Sequence, residues 1–228
     1  MILPKNPADS LIDIFNRLAE HFGPLHWWPA ESPFEVVVGA ILTQNTAWRN
    51  VERAIAALKE AGVLSSSELV RIDRQLLESL IRPAGFFRQK AERLNLFAAY
   101  LMQHYAGDLG ALLAGPLEQV RAELLTLKGI GPETADSILL YAGDRPSFVV
   151  DAYTRRLLTR LGMLGGDEKY QAIRALFMDH LPHSSELFNE FHALIVEQCK
   201  TFCRVRPLCG ACPLQSICTY FKTSEPHE

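Results

Sequence analysis

Four of the five cysteines of this 228-residue chain fall in one short segment, CRVRPLCGACPLQSIC. Cys203, Cys209, Cys212 and Cys218 are spaced C-x5-C-x2-C-x5-C, and Cys199 lies just upstream. No N-terminal stretch here reads as a secretory leader, so thiols clustered in this way are expected to serve metal more than disulfides. Four thiolates on a short loop can enclose a four-iron cluster or a zinc ion. Zinc sits more often between two Cys-x-x-Cys pairs, and this segment has only one. A second stretch, LKGIGPETAD at 127–136, brackets one apolar residue with Gly129 and Gly131 and then starts a helix at Pro132. The glycines tolerate positive φ, and proline suits the first helical position. The N–H groups left bare there, aided by the helix dipole, form a small anion site. A tight turn between two packed helices would use the same residues. Asp151, in VVDAYTRRLLTRLG, opens another helix. As a cap it contributes about 1 kcal/mol. The tryptophans all lie in the first quarter: Trp27 and Trp28 in PLHWWPA, and Trp48 in TQNTAW. Adjacent residues of a helix face different ways, so two neighbouring tryptophans before a proline suit an irregular segment lining a pocket.

The elements that must position these residues read as helices throughout. Residues 8–22 carry the apolar stripe Leu11, Ile14, Phe15, Leu18. Helices are expected over 34–44, 48–61, 66–81, 86–104, 117–127, 132–142, 152–161, 168–180 and 185–200. No alternating strand pattern persists, and FVV at 148–150 is too short to build a sheet. The fold class is therefore all-α. The longest apolar run, FEVVVGAIL at 34–42, cannot cross a bilayer. We expect an intracellular, cytoplasmic protein with no membrane partner, and nothing in the sequence demands more than a monomer.

Net charge is −3, which by itself argues weakly against a polyanionic partner. Its distribution says more. Arg82, Arg88, Lys90 and Arg93 face a single acid, Glu92, within 82–93, and Lys200, Arg204, Arg206 and Lys222 stand in 199–222 with none. One basic face towards phosphates is compatible with a mildly acidic chain. Ordinary solvated helix faces explain the same charges.

With helices on both sides, the glycine loop has the sequence form of a helix-hairpin-helix, which grips a DNA phosphate without reading bases. LLTLKGIGPETADSILLYA and VVDAYTRRLLTRLG, with ILTQNTAWRNVERAI at 41–55 and AGFFRQKAERL at 84–94, together resemble the helix-hairpin-helix DNA glycosylases of the endonuclease III superfamily. The resemblance covers most of the chain in the family's order. It implies two helical domains with damaged double-stranded DNA bound at the cleft between them. One is a helical barrel with the hairpin, over 30–143. The other combines 1–29 with 144–222 and carries a cluster loop, and 223–228 form a tail.

The same resemblance implies roles for single residues. Asp151 matches the aspartate that faces the anomeric carbon of a flipped nucleotide. A carboxylate there stabilises the oxocarbenium character of the breaking glycosidic bond and can orient or deprotonate water. Lys128, Gly129 and Gly131 match the phosphate-gripping hairpin. Gln44 matches a polar residue inserted into the gap left by flipping, and Phe86 an apolar wedge for the opposite strand, with Phe87 competing for that role. Endonuclease III places a Schiff-base lysine where this chain has Glu133, which implies a glycosylase that leaves an abasic site without cutting the strand. Lys128 and Lys200 are the alternative nucleophiles for a bifunctional glycosylase/lyase acting on oxidised pyrimidines. HWWP, LTQNT, RPAGFF and the hairpin look most like the 3-methyladenine DNA glycosylase III subgroup. That likeness makes Trp27, Trp28, Trp48 and Lys200 pocket residues for an alkylated purine. Lys200 would repel a cationic base, so it is expected to be paired, modified or turned away. Endonuclease III also carries a [4Fe–4S] cluster on a similar loop with one more residue in the first gap. The implied ligands are Cys203, Cys209, Cys212 and Cys218, with Cys199 competing for the first place. The 3-methyladenine subgroup lacks this loop, so the chain combines features of two subgroups.

Overall fold

The computed structural model describes residues 6–25, 27 and 30–224, and every regular element among them is helical. Helices α1 (Pro7–Phe22), α2 (Pro33–Leu42) and α3 (Trp48–Glu60) are followed by α4 (Ser66–Arg71), α5 (Arg74–Leu80) and α6 (Phe87–Tyr105). Then come α7 (Leu109–Leu113), α8 (Leu117–Thr126) and α9 (Pro132–Ser137), the last continuing as a wider helical turn over Ile138–Ala142. Helices α10 (Ala152–Leu161), α11 (Tyr170–Met178), α12 (Ser185–Thr201) and α13 (Thr219–Ser224) complete the chain.

Local chemistry explains where expectation and structure differ. The single helix expected over 66–81 is two. Ile72 leaves helical geometry, and the Asp73 carboxylate accepts from Leu76 N at 3.0 Å, starting α5 afresh. Five-residue α7, capped by Asp108, is too short to show a period. Helix α13 runs through residues 223 and 224, which the sequence reading assigned to the tail.

Two compact units are formed, Trp28–Arg145 and the combination of Met1–Trp27 with Pro146–Glu228. In the first, α2 is buried on nearly every side and forms the centre of a core with Leu58, Leu94, Leu101 and Leu124. An apolar run without an amphipathic stripe is what such a central helix requires. Arg121 of α8 and Asp136 of α9 meet in a buried two-point ion pair, Nε–Oδ1 2.8 Å and Nη2–Oδ2 2.9 Å, clamping the helices on either side of the glycine loop. In the second unit an aromatic core forms, with Phe148 stacked on Phe177 and edge-on to Phe188 and Phe191. Leu11, Ile14 and Leu18 of α1 are buried in the same unit.

Candidate functional site

Asp151 caps α10. Its Oδ1 accepts from Thr154 N at 2.7 Å and from Thr154 Oγ1 at 3.0 Å. That leaves Oδ2 for another task, and the ring Nε2 of His192 lies 3.6 Å from it. Burial works to raise the Asp151 pKa, but His192 and the two Thr154 donors outweigh it and hold the carboxyl below its ordinary range. His192 sits on α12, far along the chain, and no periodicity or motif marks it in advance.

Trp27 and Lys200 come together in the same unit. The Lys200 ammonium lies 5.8 Å from the Trp27 ring centroid, and Glu197, one turn earlier on α12, pairs with it at 3.3 Å. Of the three outcomes expected for Lys200, pairing is the one realised. The segment leading to Trp27 is tied to α12 by Leu25 N donating to Glu190 at 2.9 Å. Trp28 lies outside the described residues. Trp48 belongs to the other unit, half-buried at the start of α3 against the core.

In the glycine loop only Gly129 adopts positive φ, at 88°. A Cβ there would meet Arg93 side-chain atoms at 2.5 Å, so this glycine answers to both backbone and space. Gly131 does not use that tolerance: it is extended, with φ −91° and ψ 176°, and caps α9. Among the described residues nothing stands within 4 Å of where its Cβ would be, so internal packing does not demand glycine there. Exposed Lys128 pairs with Glu92 at 2.5 Å. Exposed ion pairs of this kind are weak and exchange readily. Glu133 occupies the exposed first turn of α9, where an acid suits the helix dipole.

Gln44 is not simply poised in solvent. Its Nε2 donates to Gly129 O at 3.0 Å and to Thr134 Oγ1 at 2.9 Å, while Arg93 donates to its Oε1. Phe86 and Phe87 are clearly distinguished. Phe86 is 65 % exposed in left-handed geometry, φ 45° and ψ 31°, whereas Phe87 packs on the core with Arg82 and Arg88 beside its ring. Lys90, counted among the basic surface residues, is 1 % exposed. Its Nζ donates to Leu42 O at 2.8 Å, Thr46 Oγ1 at 2.6 Å and Ala84 O at 2.8 Å. Burial, with Arg93 nearby, lowers its pKa to about 8, so it remains an ammonium at neutral pH. It joins the turn carrying Gln44 to the turn carrying Phe86.

Cys203, Cys209, Cys212 and Cys218 line one recess together with Leu157 and Gln198. Arg160 Nη1 approaches Cys203 Sγ at 3.3 Å, and Gln198 Nε2 approaches Cys212 Sγ at 3.0 Å. The Cys199 thiol beside it is the main cause that lowers the Cys203 pKa to about 6; burial opposes this and Arg160 adds to it. Cys199 is correspondingly raised, fully buried on α12, with its Sγ 3.5 Å from Tyr153 O. Gly162, at the end of α10, is where the segment docks: a Cβ there would stand 2.5 Å from Thr219 Oγ1, which donates to Leu161 O. Among the described residues no three His, Cys, Asp or Glu groups are close enough to hold a single metal ion. The four cysteines thus share one recess, with N–H donors aimed at two of the sulfurs.

The site residues thus comprise an acidic cap faced by an imidazole, a glycine hairpin between clamped helices and an exposed left-handed aromatic. Residues 38–183, well over half of the chain, match the family model of the HhH-GPD superfamily base excision DNA repair proteins, and the chain belongs to that family. It is a DNA glycosylase. A candidate DNA repair glycosylase of Methanocaldococcus jannaschii is 46 % identical over 95 % of this chain and 99 % of its own. Among solved structures, a trapped endonuclease III–DNA covalent intermediate has a TM-score of 0.82 at 23 % identity, covering 95 % of this chain and 97 % of its own. The 3-methyladenine DNA glycosylase of H. pylori bound to 1,N6-ethenoadenine has a TM-score of 0.71 at 28 % identity, covering 86 % and 97 %.

Proposed function

We propose that this glycosylase hydrolyses the N-glycosidic bond of alkylated purines such as 3-methyladenine in double-stranded DNA and leaves the strand intact. The observation that carries the strand-preserving part is the glutamate at position 133. Position 133 is a glutamate, Lys128 is held against Glu92, Lys200 against Glu197, and Lys90 is enclosed by three acceptors. A carboxylate at position 133 cannot form a Schiff base, and the enclosed Lys90 cannot reach a sugar. Exposed Lys128 and Lys200, whose ion pairs exchange readily, are the lysines a lyase reading would need. Asp151 is the catalytic group. It is ionised at neutral pH, and it stabilises positive charge at the anomeric carbon and orients the attacking water.

The alkylpurine assignment rests on Trp27, with Trp28 and Trp48 as further pocket aromatics, and on the likeness to the H. pylori enzyme. Indole faces attract a cationic methylated purine by roughly 2 kcal/mol when desolvated. Glu197 neutralises Lys200 beside Trp27, which removes the repulsion such a base would otherwise meet. The hairpin, with Lys128, Gly129 and Gly131, grips a phosphate. Gln44 leaves its bonds to the hairpin to fill the gap in the duplex, and Phe86 wedges the opposite strand. Cys203, Cys209, Cys212 and Cys218 hold a [4Fe–4S] cluster, which supplies structural order to the basic segment bearing Arg204 and Arg206.

The test uses duplex DNA treated with a methylating agent. Free base is scored by chromatography, and strand breaks are scored with and without alkali. Release of methylated purines with breaks only after alkali is expected. Breaks without alkali, or release only of oxidised pyrimidines from oxidised DNA, would establish the bifunctional endonuclease III-type activity in its place.

A further inference from the structure

Asp151 is almost enclosed within its unit, and each of its oxygens faces a particular group. Oδ1 is spent on the cap through Thr154 N and Oγ1. Oδ2 faces the Nε2 of His192, at 3.6 Å. The His192 ring is itself held in place: it is buried on α12 and stands near Phe148, 6.4 Å between centroids at 83°, inside the aromatic core. The oxygen needed for chemistry is therefore the one the imidazole addresses. A carboxylate taken out of water reverts to its neutral form unless something favours its charge. Cys199, also on α12, feels the Asp151 charge, which helps to raise its pKa, and as a thiolate it would oppose that charge rather than favour it.

We infer that His192 is a positioning residue for base release, holding Asp151 ionised and its Oδ2 in place beside the reacting sugar. The inference rests on the assignment of Asp151 as the catalytic carboxylate. Nothing passes from His192 to the substrate; it acts through Asp151. In keeping with this, His192 is the foremost of the influences that overcome burial and lower the Asp151 pKa.

The experiment follows the Asp151 carboxyl by carbon-13 NMR during an acid titration of the full-length protein, with D151N to identify its signal. Wild type, His192→Phe, which keeps an aromatic ring beside Phe148, and His192→Gln, which keeps an N–H donor, are compared. The Asp151 midpoint is expected to rise in the phenylalanine variant and to return towards wild type in the glutamine variant. Single-turnover release of methylpurines falls roughly tenfold or more in His192→Phe, the scale of a lost hydrogen-bonding partner of a charged group, with DNA affinity unchanged. An Asp151 midpoint unmoved by His192→Phe overturns the inference. If that variant does not fold, the nitrogen-15 shift of the His192 ring decides: it must differ between wild type and D151N, and an identical shift overturns the inference as well. If wild type releases no methylpurine, the alkylpurine assignment fails, while the two titrations still decide what His192 does.

Discussion

Asp151→Asn separates the two roles of one residue. Asparagine caps a helix about as well as aspartate, and its side-chain oxygen can still accept from Thr154 N, so α10 keeps its start. What disappears is the negative charge at Oδ2. With 15 % of the Asp151 side chain exposed, an effective dielectric near 20 is appropriate. A unit charge about 4 Å from a sugar with oxocarbenium character then contributes roughly 4 kcal/mol, which is about a thousandfold in rate. The assay is single-turnover base release on methylated duplex DNA, with binding and thermal unfolding measured on the same protein. Asp151→Asn is expected to release base about a thousandfold more slowly while its affinity is unchanged and its stability stays within about 1 kcal/mol of wild type. Asp151→Ala loses the cap too, and its Tm falls by roughly 2–4 °C. Release by Asp151→Asn within tenfold of wild type would refute the reasoning. So would a collapse in Tm, because the rate loss would then report misfolding. The sign of the pH effect is also set. The folded-state pKa of Asp151 lies below its unfolded value, so the stabilisation is present above about pH 4 and is lost as pH falls through the folded value.

Further outcomes follow from the same geometry. Phe86→Gly relieves a left-handed residue at a cost of about 1 kcal/mol in the native chain, so Tm should hold or rise while base release slows. A fall in both would mean that Phe86 is a packing residue. Lys90→Met leaves two carbonyls and the Thr46 hydroxyl without their common donor, and denaturant unfolding should show a loss of about 3 kcal/mol. A near-neutral result would show that the two turns do not depend on the ammonium. Cys203→Ala should lose iron and sulfide by direct chemical assay, whereas Cys199→Ala should keep both; the reverse result would move the first ligand onto α12.

Much of the fold was legible because helices declare themselves locally. Apolar spacing marked α1, and Asp151 marked where α10 starts. The hairpin, the cysteine spacing and the glutamate at 133 could likewise be read in order along the chain. Errors came where a short-range competitor broke a long pattern, as when Asp73 captured a backbone N–H inside an expected continuous helix. Residue type alone also misled. Lys90 counted as surface charge until the fold supplied three oxygens around it, and of the two glycines able to take positive φ only Gly129 does so, Gly131 being extended. The choice between Phe86 and Phe87 was equally closed to sequence, since exposure depends on which neighbour meets the core. The partners of the key groups belong to the same class: His192 for Asp151, Glu197 for Lys200 and Arg93 for Gln44. Local propensity acts through a few neighbouring residues and is written in their order. Pairing across helices depends on packing between segments far apart in the chain, and only the tertiary structure brings those side chains within reach of one another.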